Sequence, residues 1–472
     1  MNTMSLKRVI AHNTLIQIVG KTISVLLGLL AVAIMTRSLG VEQFGWYVTA
    51  AGFLQFIGIF SDFGFTITTA NMLSEPYFDK NKLLNNLFTW RFLTAFLFQG
   101  LAPILILLFP YPAPIKMAVL VTTLSFFAIS LNNIFIGYYQ SQLKMFIQMS
   151  GEILGRIVLV VGLLLVARGN YGFLPTMGVV TLASVVYTFY LWLRSPGARF
   201  AFDRAISKAI FIKIWPTALT VIFNAFYLQG DRVILPLYAS QADVGLYGAA
   251  YRVLDMLAQA AAMIMGIMMP LVTFAWSRNL LEDFKKRYQM SFDLVCLFLL
   301  PAMAGILVLA QPIMLVIAGA EFGGSAKILQ YLAVAIVGLS FGNVFGYIAL
   351  AINRQRQAIG IYLADAVLAI IGYFVFIPRY GLYGAAYVTI FSELFAGLGL
   401  LLLIAYYAKI WPHLFTFLKI ALSSLIMGAI LFYLQPLNLI LSILIGLTVY
   451  ALLVLILRII TLKTVKEVLS RG

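Results

Sequence analysis

Residues 224–252 read NAFYLQGDRVILPLYASQADVGLYGAAYR. This stretch places an acid–base pair, Asp231-Arg232, inside an apolar run and then restarts a pattern met earlier in the chain. Its Val244-Gly245-Leu246-Tyr247 matches Phe44-Gly45-Trp46-Tyr47 at an offset of 200 residues, each copy following a short polar turn and opening another apolar run. A match at that distance marks a fold-sized internal repeat.

The composition around the repeat tells which solvent it lives in. Of 472 residues, 63% are hydrophobic and only 10% charged, and the mean hydropathy is +1.01. A water-soluble core cannot hide that much apolar side chain, so the chain reads as an all-α, polytopic membrane protein. The single cysteine, Cys296, lies in an apolar run, has no intrachain partner and reads as a small buried hydrophobe. His12 and His413 are far apart in sequence, so neither a metal site nor a cofactor is expected. The net charge of +16 would suggest nucleic acid in a soluble protein. Here the basic residues are distributed among short loops between apolar runs, as membrane orientation requires, and no nucleic-acid partner is expected. Lys7-Arg8, the apolar stretch after it and Ala31-Val32-Ala33 imitate a signal peptide, but the run is too long and contains Gln17 and Lys21. It is read as a first span.

Apolar runs of about 17–25 residues fall near 14–36, 44–65, 87–109, 116–139, 151–167, 172–193, 213–235, 245–275, 292–318, 327–352, 358–377, 382–408, 414–434 and 438–460. They make fourteen spans with both termini on one side. Of the 32 Lys and Arg residues, 21 fall in loops on the side of the N-terminus and five (Arg37, Lys116, Arg168, Lys327 and Arg379) on the other. Six lie within spans: Lys21, Arg91, Arg156, Arg232, Arg252 and Arg458. The positive-inside rule therefore expects both termini in the cytoplasm. The longest loops, 194–212 and 276–291, are basic linkers too short for a folded extramembrane domain.

The repeat extends beyond its first match. Tyr171-Gly172-Phe173 corresponds to Tyr380-Gly381-Leu382 at an offset of 209, and Asn133-Ile134-Phe135 to Asn343-Val344-Phe345 at 210. Spans one to six and seven to twelve thus read as two copies of the same orientation, related by an axis along the membrane normal. The expected division is an N-terminal six-helix lobe over 1–200, a C-terminal six-helix lobe over 201–410, and two additional helices with a cytoplasmic tail over 411–472. Gly338, Gly342 and Gly346, and likewise Ala258, Ala262 and Gly266, recur every four residues, a spacing that predicts close helix contacts.

Ionisable groups inside spans are costly and face a cavity or a partner, so they are the first candidates for function. Lys21, Arg91 and Arg156 lie within a few turns of the cytoplasmic ends, where long cations can also snorkel. Glu152 and Arg156 stand i,i+4 with the acid first, the favourable order for a local pair. Asp231-Arg232 and Arg252/Asp255 lie toward the outer side of the seventh and eighth spans, the second pair spaced to meet on one helix face. Glu393 lies about 15 Å inside the twelfth span, with no basic residue near it in sequence, and should face water or a cation. Across the repeat Arg156 aligns with Asp365, Gln55 with Asp255 and Ser184 with Glu393. Polar positions therefore recur in both copies while acids gather in the second.

Two six-span copies plus two spans, Ser61-Asp62-Phe63-Gly64-Phe65, Asp231-Arg232 and Val244-Gly245-Leu246-Tyr247 followed by Ala250-Tyr251-Arg252 together resemble the Wzx-type polysaccharide (O-antigen repeat-unit) flippases of the multidrug/oligosaccharidyl-lipid/polysaccharide exporter superfamily. The resemblance implies a V-shaped two-lobe transporter with a cationic cavity. It would carry an undecaprenyl-pyrophosphate-linked oligosaccharide across the cytoplasmic membrane by alternating access, with membrane lipids, a polysaccharide polymerase and other assembly proteins as partners. Lys21, Arg91, Arg156 and Arg252 are the expected substrate-binding cations, and Glu393, Asp255, Asp365, Asp231 and Arg232 the coupling or gating candidates. A lipid II flippase and a drug/cation antiporter share the two-lobe plan. A membrane polymerase or ligase is disfavoured because such enzymes are expected to display Arg or His on a large external loop, and here the external loops are short and lack His. No Walker A pattern is present, and no catalytic residue is expected.

Overall fold

The computed structural model describes residues 3–74, 77–434 and 438–459; the tail expected beyond the last span lies outside these. Fourteen α-helices follow one another, with no strand among the described residues. They are α1 (Thr3–Asp62), α2 (Phe65–Ser74), α3 (Lys80–Leu105), α4 (Ala113–Ser141), α5 (Met145–Arg168), α6 (Phe173–Arg194) and α7 (Arg204–Tyr238), then α8 (Gln241–Ser277), α9 (Leu281–Ile317), α10 (Ser325–Ala351), α11 (Gln355–Tyr380), α12 (Leu382–Ala408), α13 (Leu414–Tyr433) and α14 (Leu439–Ile456).

Twelve helical stretches among the described residues are long and apolar enough to cross a membrane. One of them, Leu15–Asp62, has 48 residues, about 72 Å at 1.5 Å per residue. That is more than twice the roughly 30 Å of a hydrocarbon core, and the stretch is broken by Gly40 at φ 69°, ψ 179°. The break separates the two runs read as spans one and two, because a positive φ is open to glycine and strained for most other residues. The run 213–235, read as span seven, lies within α7. With α1 as two crossings and α7 as one, the helices accommodate fourteen spans.

The second arm of α1 does not end where its apolar run ends. Phe63 (φ 43°) and Gly64 (φ 84°) interrupt the helix, and α2 resumes at Phe65 for ten more residues, a segment the apolar pattern did not show. Helix starts follow local sequence more plainly. Asp79 accepts the backbone N–H of Asn81 and Lys82 at the head of α3, and Asp203 those of Ala205 and Ile206 at the head of α7. The 194–212 linker is therefore helical from Arg204 onward. Its remaining part is pinned to α3: the N–H groups of Arg199, Ala201 and Asp203 donate to Asn85 Oδ1, Thr89 Oγ1 and Asn86 Oδ1.

The chain forms two compact units, residues 1–245 with 317–319, and 246–316 with 320–472. The first unit contains α7, whose Ile206, Ile210, Ile214 and Ala218 share a buried cluster with Phe65, Met72, Leu83 and Leu87. The compact boundary thus stands at 245, whereas the boundary read from the repeat stands at 200. Within this first unit α1 meets the start of α8 reciprocally. A Cβ on Gly45 would stand 1.8 Å from the carbonyl oxygen of Gln241, and one on Gly245 would stand 2.1 Å from that of Val41. Both contacts exchange under the 200-residue offset.

In the second unit α10 and α12 cross closely. A Cβ on Gly338 would lie 2.3 Å from the backbone carbon of Glu393, and one on Gly397 would lie 2.6 Å from the oxygen of Gly338. The α10 glycine stripe is a close contact, as its spacing predicted. The α8 stripe is not: nothing lies within 4 Å of a Cβ on Gly266, and α8 buries Ala261, Met265 and Met268 instead. α13 and α14 dock on α9 through Met427, Leu431, Ala304 and Leu309 and through Tyr450 Oη donating to Leu297 O. Their other faces expose Leu418, Leu422, Leu425 and Leu447.

Candidate functional site

Five helix-borne polar groups of the first unit come together on α1, α5 and α6. Lys21 Nζ lies 3.0 Å from Glu152 Oε1, and Ser24 Oγ donates to the same oxygen at 2.6 Å. Spacing along α1 puts Lys21 and Ser24 on one face, three residues apart, and the α1–α5 packing brings Glu152 opposite them. The local pair suggested by Glu152 and Arg156 does not form. The carboxylate turns to α1, while the Arg156 guanidinium lies over the backbone at Gly28, its Nη1 3.6 Å from where a Cβ there would stand. Arg156 makes no hydrogen bond or ion pair among the described residues, although it is close enough to Glu152 to act on it electrostatically. Tyr187 of α6 feels both charges, and its buried hydroxyl has no hydrogen-bond partner. The cluster holds two cations and one carboxylate, and it is short of acceptors.

Arg91 is not with them. It is 1% exposed, its Nη1 lies 2.9 Å from Asp62 Oδ1, and it donates from Nε to Ser130 O and from Nη1 to Ser61 O, each at 2.9 Å. The Phe65 ring lies 5.8 Å from its Cζ. Asp62 also accepts a hydrogen bond from the hydroxyl of Thr66 in the first turn of α2. The guanidinium therefore bridges the α1/α2 break to α4. A cation at a helix C-terminus is favoured there because the last carbonyls lack intrahelical donors. In this structure its donors are taken up within the fold.

At the other end of the first unit, Asp231 is 1% exposed and accepts the N–H of Arg232 at 2.8 Å. Arg232 Nη1 donates to Gln55 Oε1 at 3.0 Å, beside Thr49, whose hydroxyl donates to Gln241 Oε1 at 2.8 Å. These polar residues flank the Gly45/Gly245 crossing.

In the second unit, Arg252 Nη1 and Asp255 Oδ2 stand 4.0 Å apart, each side chain about 30% exposed, so the i,i+3 pair meets on one face of α8 as its spacing predicted. Asp365 is fully buried on α11 and accepts Ser392 Oγ on both carboxylate oxygens, at 2.9 and 3.0 Å. Glu393 follows Ser392 on α12 and is only 6% exposed. Its Oε2 is 4.0 Å from where a Cβ on Gly342 would stand, so it points at the α10 stripe rather than into open water. Tyr362 lies near enough to feel both Asp365 and Glu393. Sequence reasoning missed Ser24, Tyr187 and Ser392 as members of these groups. Only Ser24 carried a signal, its helical spacing from Lys21.

A family model described as polysaccharide biosynthesis protein matches residues 10–276. Among curated proteins, the chain is similar to the probable low-salt glycan biosynthesis flippase Agl15 of Haloferax volcanii, 28% identical over 237 residues. That match covers 49% of this chain and 49% of that protein, so the chain spans about half the length of the curated relative it matches. Among solved structures it resembles the lipid II flippase MurJ in an inward closed conformation, at 18% identity and TM-score 0.77, over 93% of this chain and 98% of that one. It also resembles an inward-facing multidrug resistance MATE family transporter of the MOP superfamily, at 15% identity and TM-score 0.66, over 84% and 98% of the two chains. At these identities the likeness is one of fold.

Proposed function

The chain belongs to the polysaccharide biosynthesis protein family, and on that premise we propose that it is a flippase for a lipid-linked oligosaccharide. The substrate is an undecaprenyl-pyrophosphate-linked repeat unit destined for surface polysaccharide. The protein works without a cofactor and is not an enzyme. It crosses the cytoplasmic membrane fourteen times with both termini inside, and hands its product to a polymerase and other assembly proteins. Movement is by alternating access of an N-terminal lobe, a C-terminal lobe and the two added helices, divided as the repeat divides them.

The observation that carries this reading is the group Lys21, Glu152 and Arg156. A half-exposed guanidinium without a partner among the described residues is too costly to leave against lipid, so it faces a water-filled path, where it meets an anion. A pyrophosphate offers the charge and the oxygens such a cation binds best. Arg252 of α8 serves the same headgroup or an acidic sugar, with Asp255 as its resident counterion. Glu393, Asp365 and the Asp231/Arg232 pair are the groups through which a cation gradient or the opening of the path acts on the cycle. The likeness to the probable glycan biosynthesis flippase of Haloferax volcanii supports a glycan flippase and leaves the sugar open.

The test is transport of fluorescently tagged undecaprenyl-pyrophosphate oligosaccharide by the full chain in proteoliposomes. Arg156→Ala abolishes it at unchanged protein level, and Arg156→Lys restores part. Wild-type transport by the alanine variant overturns the reading.

A further inference from the structure

We propose that Glu152 is a displaceable counterion that holds Lys21 until an anionic phosphoryl headgroup takes its place. The inference rests on the flippase reading and deepens it, by giving the site a means of telling a charged headgroup from a bare lipid.

The geometry of one carboxylate argues for this. Glu152 stands four residues before Arg156 on α5, the acid-first spacing that favours a local helix pair, yet its Oε1 receives Lys21 Nζ at 3.0 Å and Ser24 Oγ at 2.6 Å from α1. One oxygen thus satisfies two donors of α1, while on the α5 and α6 side the Arg156 guanidinium and the buried Tyr187 hydroxyl have no hydrogen-bond partner among the described residues. The site offers an ammonium, a guanidinium and two hydroxyls, and its own chain supplies a single carboxylate to receive them. A pyrophosphate linkage supplies the missing oxygens, two unesterified ones on each phosphorus, and suits a guanidinium fork beside an ammonium.

The same geometry makes Glu152 a competitor. Lys21 keeps two further N–H donors, but the single proton of the Ser24 hydroxyl and the nearest counter-charge of the ammonium are both taken up by Glu152 Oε1, so an anion that takes Ser24 beside Lys21 stands where the carboxylate now stands. Two anions cannot share that place at low dielectric, because like charges a few ångströms apart repel strongly. Binding is therefore an exchange: the headgroup takes Lys21 and Ser24, and Glu152 turns along its own helix toward Arg156 at the i,i+4 position it had forgone. Release reverses the exchange, and the returning carboxylate helps to expel the phosphate. A neutral lipid brings no charge to replace the carboxylate, so it leaves the Lys21–Glu152 pair closed.

Charge removal at constant shape separates this from a scaffolding role. The full chain, in nanodiscs of zwitterionic lipid, is titrated with undecaprenyl pyrophosphate and, as the uncharged control, undecaprenol. Wild type binds the pyrophosphate and not the alcohol; Lys21→Ala and Arg156→Ala each weaken binding by roughly tenfold, as loss of a charge-assisted bond should. Glu152→Gln keeps the acceptor oxygen for Lys21 and Ser24 but not the charge, and it tightens binding by about threefold or more while slowing transport. Unchanged or weaker binding by a Glu152→Gln protein with wild-type thermal unfolding overturns the counterion role. Should that variant fold poorly, Lys21→Ala/Glu152→Gln decides the matter: it binds more tightly than Lys21→Ala alone, and equal or weaker binding overturns the proposal. If wild type ignores the pyrophosphate, or Arg156→Ala binds as wild type does, it is the flippase reading that falls.

Discussion

Arg91→Ala distinguishes a cation that holds the scaffold from one that holds substrate. The side chain is 1% exposed and serves three acceptors at 2.9 Å, Asp62 Oδ1, Ser61 O and Ser130 O. Removing one member of a buried ion pair costs about 3–5 kcal/mol, because the other charge stays behind without its partner. Asp62 retains the Thr66 hydroxyl and is 16% exposed at its side chain, which argues for the lower end, about 3 kcal/mol. Arg91→Lys keeps the attraction to Asp62 but cannot span both carbonyls, so it falls between the two. The assay is thermal unfolding of purified protein by intrinsic tryptophan fluorescence, since Trp90 neighbours the site in sequence, paired with surface-glycan export normalised to inserted protein. A clear drop in the unfolding midpoint is expected, with export per folded molecule retained. Asp62→Asn/Arg91→Leu should be less damaging than either single change, because no charge is stranded. An Arg91→Ala protein with a wild-type midpoint and no export would show that Arg91 binds substrate and that its internal bonds contribute little.

Gly45→Ala and Gly245→Ala should each lower the unfolding midpoint and export, because a Cβ at 1.8 or 2.1 Å from a backbone oxygen forces α1 and the head of α8 apart. Gly266→Ala, with nothing within 4 Å, should be neutral or stabilising by roughly 0.5–1 kcal/mol from helix propensity, and similar midpoints for all three would refute the crossing. Glu393→Gln should leave export in reconstituted vesicles reduced or insensitive to pH, if the carboxylate titrates during the cycle; a wild-type pH profile assigns it to packing against α10. Single cysteines at Lys327 or Arg379 should react with an impermeant maleimide from outside, and those at Arg204 or Lys286 should not. External labelling within 278–287 would invert the topology drawn from loop charge.

What the sequence made legible is what depends on solvent and on period. Apolar runs located the spans because hydrocarbon must be matched over their whole length; the capped starts of α3 and α7 at Asp79 and Asp203, ahead of the apolar runs at 87 and 213, were not read from them. The 200-residue match foretold more than a duplication, since Gly45 and Gly245 turned out to be contact points. Choices between partners distant in sequence stayed hidden. Glu152 was legible as the i,i+4 neighbour of Arg156, but nothing local says that α1 brings Lys21 and Ser24 to it from about 130 residues away. Glu393 reads in the sequence as facing water or a cation, because no basic residue stands near it there. Its burial against α10 follows from glycines fifty residues earlier in the chain, whose spacing was visible but whose opposite number was not. The α8 stripe had the same spacing as that of α10 and meets nothing at Gly266, so small residues every four positions permit a close crossing without choosing one.

Arg91 and Arg156 show why depth alone could not sort the intramembrane cations. Both lie a few turns inside the membrane in the first unit, and both have a carboxylate within reach in sequence or in space. They differ in the acceptors their helices offer. Arg91 lies beside the break at Phe63 and Gly64, where the end of α1 leaves carbonyls without intrahelical donors; it gains Ser61 O as well as Asp62 and is consumed by the scaffold. Arg156 emerges from the middle of α5 opposite the middle of α1, where main-chain carbonyls already receive the N–H four residues on, and the one carboxylate nearby is held by Lys21. Arg91 also donates to Ser130 O within unbroken α4, so the break supplies part of its acceptors, whereas Arg156 finds none among the described residues.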